Sequence, residues 1–124
     1  TKAGCVDCHE GWNFTDSGFH DIGIPGDDLG RGKILEGIEA LEYAFKTPTL
    51  RNLRQRAPFM HDGSEATLHD VIELYNIGGR VKRPSLSPSI RELHLTDTEV
   101  KALIAFLDTL TSADEPVRIA TLPR

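Results

Sequence analysis

Two cysteines and a histidine, Cys5-Val6-Asp7-Cys8-His9, constrain this chain more than any other feature. Cys5 and Cys8 are the only cysteines in 124 residues. A disulfide between residues three apart closes too short a loop to staple a fold, and one pair is too few for a disulfide scaffold. A thioredoxin-type pair wants a strand before it in a βαβ setting, and only four residues precede Cys5. A zinc site wants four ligands. The chain has no second cysteine pair, and His61 and His69 stand eight apart. What remains is Cys-x-x-Cys-His, the signature of covalent haem c attachment. Two thiols on adjacent turns of a short helix can each add to a vinyl group on one porphyrin edge. The next residue then projects its imidazole onto the iron. Cys5 and Cys8 are therefore read as the thioether anchors of one haem c, and His9 as its axial ligand.

Composition narrows the function further. Lys and Arg number 14 against 19 Asp and Glu, a net charge of −5, so the chain lacks the basic footprint of a nucleic-acid or anionic-membrane binder. No apolar run approaches the ~18–20 residues of a membrane span. The charge is uneven. Residues 1–45 carry nine acids and three bases, residues 46–91 eight bases and four acids, and residues 92–124 six acids and three bases. The basic middle matters because haem brings two propionates that want cationic donors. Arg51 is the candidate for that role. A solvated basic face is the plainer reading of the same residues.

The chain reads as helices joined by long loops. A short helix carries Cys5 to about Gly11. Residues 12–33 are rich in Gly and Asp and form an irregular excursion. Residues 34–45 are weakly helical, with Gly37 in the way. Pro48 and Pro58 bracket a loop with one helical turn near Leu50–Leu53. Thr67 and Asp70 open a middle helix with a capping-box-like start. Leu68, Val71, Ile72 and Tyr75 form its apolar face, and Gly78-Gly79 end it. Residues 80–95 form a Pro/Ser-rich loop with a turn near Ile90. Thr96 and Glu99 make a second capping box, followed by the amphipathic run Val100, Leu103, Ile104, Leu107 and Leu110. No strand signal stands out. The expectation is an all-α, cytochrome c-like domain with long loops over residues 1–112 and a tail over 113–124. Such a fold normally has a helix leading into the attachment motif, so an N-terminal truncation is expected.

Longer words in the sequence carry a resemblance. These are Asn13-Phe14-Thr15-Asp16 with Phe19-His20-Asp21-Ile22-Gly23, Ala44-Phe45-Lys46-Thr47-Pro48-Thr49-Leu50-Arg51-Asn52, Ala57-Pro58-Phe59-Met60-His61-Asp62-Gly63-Ser64, and Ala66-Thr67-Leu68 through Tyr75. With the attachment motif, they resemble the C-terminal haem domain of the bacterial dihaem cytochrome c peroxidase and MauG family. The likeness runs from Cys5 to about Thr111.

The resemblance implies several things. The family carries two haems, one at an open iron that meets peroxide and one at a six-coordinate iron that relays electrons. This chain, with one attachment motif, matches the relay half, so its partner is a second haem domain or a redox protein. The sixth iron ligand in the peroxidases is a Met, and in MauG-like proteins a Tyr, at the position of Tyr75. Met60 is the rival ligand, and a plain core aromatic is the ordinary reading of Tyr75. Calcium bound between the domains of the full-length parent would use carbonyls at Arg56 and Pro58. Family membership also implies an oxidoreductase parent and a periplasmic location. Two alternatives stay open: a peroxidase or oxidase active in its own right, and an independent electron-shuttle cytochrome c. His20 and His61 are read as hydrogen-bonding haem or backbone, His69 and His94 as surface residues, and Trp12 as packing near the haem edge.

Overall fold

Two reciprocal caps fix the starts of the two helices. In the computed structural model, which describes residues 2–113, helix α1 spans Leu68–Asn76 and helix α2 spans Asp97–Thr109. At α1 the Thr67 hydroxyl accepts from Asp70 N–H at 3.2 Å, and the Asp70 carboxylate accepts from Thr67 N–H at 2.9 Å. Thr96 and Glu99 do the same at α2, at 3.3 and 2.8 Å. Each box satisfies two of the N–H groups that a helix start leaves unpaired. The two helices pack on each other. Ile72, Leu74 and Val100 are buried there, with Leu53 and Leu93 completing that side of the core. Leu74 was not on the face read from the periodicity, so α1 is packed on more than one side.

Gly78 and Gly79 end α1 with φ of 71° and 82°. Only glycine fits at this turn. A Cβ on Gly79 would stand 2.7 Å from the Ile22 carbonyl, and one on Gly78 would stand 2.8 Å from the backbone at Arg91 and Glu92. The chain then runs on as Arg80 and Val81, whose N–H groups both donate to the Gly23 carbonyl at 2.9 and 3.0 Å. The end of α1 is thereby bonded to the loop that follows the first strand.

The all-α expectation is overturned. Strand β1 (Phe19–His20) pairs antiparallel with β2 (Phe45–Lys46), and among the described residues helix outside α1 and α2 is confined to single 3-10 turns. Those turns are Cys5–Asp7, Arg31–Lys33, Glu39–Leu41 and Leu53–Gln55. The fold is that of a cytochrome c but is not plainly all-α. Glycine explains the difference. Residues 34–45 have a helical apolar pattern, yet Gly37 takes φ 81° and only Glu39–Leu41 turns. Gly30 approaches Ala44 so closely that a Cβ would lie 2.5 Å from its carbonyl. The backbone there satisfies itself by close crossings such as Arg31 N–H to Ala44 C=O at 2.9 Å, not by a helix ladder. Among the described residues no helix is long and apolar enough to cross a membrane. The tail read over 113–124 lies outside the described residues from 114 onward.

Candidate haem-binding site

The attachment motif occupies a single tight turn. The chain enters through Gly4 in the left-handed conformation, φ 63°. Cys8 and His9 N–H groups then both donate to the Cys5 carbonyl, at 3.4 and 2.8 Å. Cys5 is exposed, Cys8 is part-buried, and neither is in a disulfide. Burial raises both thiol pKa values, and Asp7 adds to this at both, with Asp16 as a further cause at Cys8.

The loop after the motif folds back over His9. Asp16 N–H donates to Cys8 C=O at 2.8 Å, and Thr15 N–H to Glu10 C=O at 3.0 Å. Phe14 sits at φ 51°, a rare conformation for an aromatic residue. Its carbonyl lies 2.9 Å from His9 Nδ1. A carbonyl only accepts, so the proton of the ring belongs on Nδ1 and the lone pair on Nε2. Burial also lowers the His9 pKa and favours the neutral ring. A neutral imidazole, oriented by a hydrogen bond at Nδ1, is the form that ligates iron. The residues present thus fit haem c: two thiols on one turn and a histidine in the ligand tautomer.

Tyr75 lies on the last turn of α1. The residue is part-buried. Burial raises its pKa above the ordinary range, and the Cys5 and Cys8 sulfurs add to the shift. Met60 lies in the loop after Phe59, at φ 71°, part-buried.

Arg51 reaches the same side of the molecule as the motif. Its Nε donates to the Trp12 carbonyl at 3.0 Å, and its Nη2 bonds the same oxygen. The guanidinium stands 4.8 Å from the Trp12 ring centroid and 5.4 Å from that of Phe14, within cation–π range. Trp12 itself is 77% exposed. His20 bonds Asp16, Nε2 to Oδ2, at 2.7 Å. His61 stacks on Phe45 with centroids 3.5 Å apart, and His69 and His94 are exposed. A cleft of about 340 Å³ opens elsewhere, between Phe19, Leu41 and Pro84–Pro88. None of the motif residues lines it.

Sequence reasoning missed the Phe14 carbonyl and the Asp16–His20 pair. The first is a backbone group and leaves no trace in residue type. The second had a signal, a carboxylate four residues before a histidine, but in a loop that spacing predicts no contact.

The family described as Cytochrome c matches residues 1–111. The methylamine utilization protein MauG of Methylorubrum extorquens is 47% identical over 124 residues, covering 98% of this chain and 35% of that protein. The cytochrome-c peroxidase IdrP1 of Denitromonas iodatirespirans is 31% identical over 147 residues, covering 94% of this chain and 39% of its own. Among solved structures, a MauG-like protein associated with microbial copper homeostasis superposes with a TM-score of 0.79 at 33% identity, over 90% of this chain and 41% of that one. The chain spans little more than a third of the length of these relatives. With its Cys5-Cys8-His9 turn built for covalently bound haem c, the chain belongs to the cytochrome c family, and MauG and the cytochrome-c peroxidases are its relatives.

Proposed function

We propose that this chain is the electron-relaying haem c domain of a MauG- or peroxidase-like dihaem oxidoreductase, with one haem held between His9 and Tyr75. When bound, haem c supplies a one-electron ferric/ferrous couple, and a phenolate oxygen ligand lowers its potential by favouring ferric iron. His9 contributes a neutral imidazole fixed by Phe14. Tyr75 would supply the second protein ligand to the iron and so would keep peroxide from it. Arg51, on the motif side of the fold, neutralises a propionate.

The observation that carries this reading is the His9 ring, held in its ligand tautomer by the Phe14 carbonyl on the turn that carries Cys5 and Cys8; Tyr75, part-buried on the last turn of α1, is the second ligand the family resemblance implies. Tyr75→Phe in the matured holoprotein should change the ferric absorption and electron-spin spectra, while Met60→Leu should leave them as they were. The reverse pattern transfers ligation to Met60. Intact mass should exceed the polypeptide by one haem, and should lose that increment when Cys5 and Cys8 are both replaced by Ser.

A second haem domain would pair with this one, as the resemblance to the dihaem family implies, and maturation of haem c outside the cytoplasm fits a periplasmic site. Calcium shared with that domain would take the Arg56 and Pro58 carbonyls, both of which belong to exposed residues. Slow reaction of the reduced domain with hydrogen peroxide supports a relay. Rapid turnover with a high-spin ferric spectrum makes the domain a peroxidase in its own right.

A further inference from the structure

Glu65 and Arg80 stand just outside the two ends of α1. Glu65 comes two residues before the Thr67 cap, and Arg80 follows the Gly78-Gly79 turn directly. The Glu65 side chain is only 2% exposed, and its carboxylate meets the Arg80 guanidinium through both oxygens. The Oε2 contact, to Nη2, measures 3.0 Å. Both residues are also fixed through their backbones. Phe59 N–H donates to Glu65 C=O at 2.7 Å, and Arg80 N–H donates to Gly23 C=O at 2.9 Å. The pair therefore closes a ring around the nine-residue helix, tying its start to its end and both to their flanking loops.

A buried carboxylate is costly unless it is paired, and an apolar pair of like volume would stabilise as well or better. What the ion pair adds is registry. Two parallel N–H···O bonds tolerate little sliding or rotation between the segments they join. Tyr75 lies within that closed ring, five residues before Arg80.

We infer that Glu65 and Arg80 are a positioning pair that sets how far the Tyr75 hydroxyl reaches toward the iron. The inference rests on the reading of Tyr75 as the sixth ligand. If the pair is broken, α1 keeps its capping box and its buried Ile72 and Leu74, but Tyr75 is held less firmly and an outside ligand displaces it more readily.

The test is cyanide titration of the ferric holoprotein, read by absorption well below the unfolding temperature. Glu65→Gln and Arg80→Gln should each bind cyanide about tenfold more tightly than the parent. Arg80→Lys, which keeps the charge, should restore part of the difference. Arg54→Gln, which breaks an exposed pair on α2 (Arg54 Nε to Asp108 Oδ1, 2.7 Å), should change nothing. If Glu65→Gln does not fold, Glu65→Asp keeps the charge, shortens the arm by one methylene, and should also tighten cyanide binding. Parent-like affinity in the Glu65 and Arg80 variants overturns the inference, provided Tyr75→Phe binds cyanide more tightly. Parent-like affinity in Tyr75→Phe overturns the ligand assignment itself.

Discussion

Asp21 and Arg83, sixty-two positions apart, form a two-pronged salt bridge in the interior. Arg83 Nε and Nη2 donate to the two Asp21 oxygens at 2.7 and 2.9 Å. The Asp21 side chain has no exposed surface and that of Arg83 has 14%. Ser85 Oγ and Gly23 N–H donate to the same carboxylate, and the guanidinium lies 3.7 Å from the Tyr43 ring centroid. Burial alone would raise the Asp21 pKa, but Arg83, Gly23 and Ser85 outweigh it and hold the carboxyl below its ordinary value. This cluster joins the end of β1, the loop around Ile24 and the Pro/Ser-rich segment.

Removing one partner of this pair leaves the other charged and buried. Asp21→Asn or Arg83→Met should therefore cost about 3–5 kcal/mol in the holoprotein. Arg54→Ala, at an exposed pair, should cost no more than about 1 kcal/mol. Urea unfolding followed by circular dichroism compares the two. Equal effects would mean that the Asp21 cluster contributes no more than a surface contact.

The glycine turn after α1 gives a second comparison. Gly79 and Gly11 both have positive φ, 82° and 66°. An alanine at Gly11 meets nothing within 4 Å, whereas at Gly79 its Cβ would strike the Ile22 carbonyl at 2.7 Å. Gly11→Ala should lose about 1–2 kcal/mol, the cost of a left-handed L-residue. Gly79→Ala should lose clearly more, because the Gly23 crossing must open as well. Thermal unfolding midpoints of the two variants give the ranking.

What was legible in the sequence was whatever depends on neighbours in the chain. Both capping boxes and the Gly78-Gly79 stop were read from residues within a few positions of one another and are present, whereas the short helix expected from Cys5 to about Gly11 is a single 3-10 turn, Cys5–Asp7. The strands were not legible. Phe19–His20 and Phe45–Lys46 are two residues each, too short to show alternation, and they exist because glycines bring distant segments together. The buried pairs Asp21–Arg83 and Glu65–Arg80 were invisible for the same reason. Their acids were counted only as charge, since nothing local predicts which base each one meets. The site divides likewise: His9 came from a motif, its Phe14 partner only from the folded backbone.

The two caps should contribute separately. Thr67→Ala and Thr96→Ala each remove a hydroxyl acceptor and should each cost about 1 kcal/mol. The boxes sit on different helices and share no partner, so the double variant should lose the sum to within about 0.5 kcal/mol. Denaturant midpoints at unchanged slope check both statements. A double variant no worse than either single one would show that the helix starts are coupled.

The second cap also carries a pH dependence whose sign is fixed. Glu99 accepts from Lys2 Nζ, and from Thr96 N–H and hydroxyl, at 2.8–3.0 Å. These partners, Lys2 foremost, lower its pKa from 4.5 to about 2. A carboxyl whose pKa is depressed by folding stabilises the fold when both states are ionised, and stops doing so when both are protonated. The contribution is therefore complete above the ordinary value of 4.5 and fades as the pH falls through about 2. Glu99→Gln keeps the shape of the capping box and removes only the charge. The stability gap between parent and variant should be flat from about pH 8 to about pH 5 and shrink below that, toward zero near about pH 2. Because the Lys2 and Glu99 side chains are about half exposed, at 48% and 42%, the gap should also narrow at high salt. At about 1 M the screening length is only about 3 Å. Urea titrations across that pH range, at low and high salt, measure it. A gap that widens as the pH falls would mean that Glu99 is not held ionised by Lys2 and the helix start.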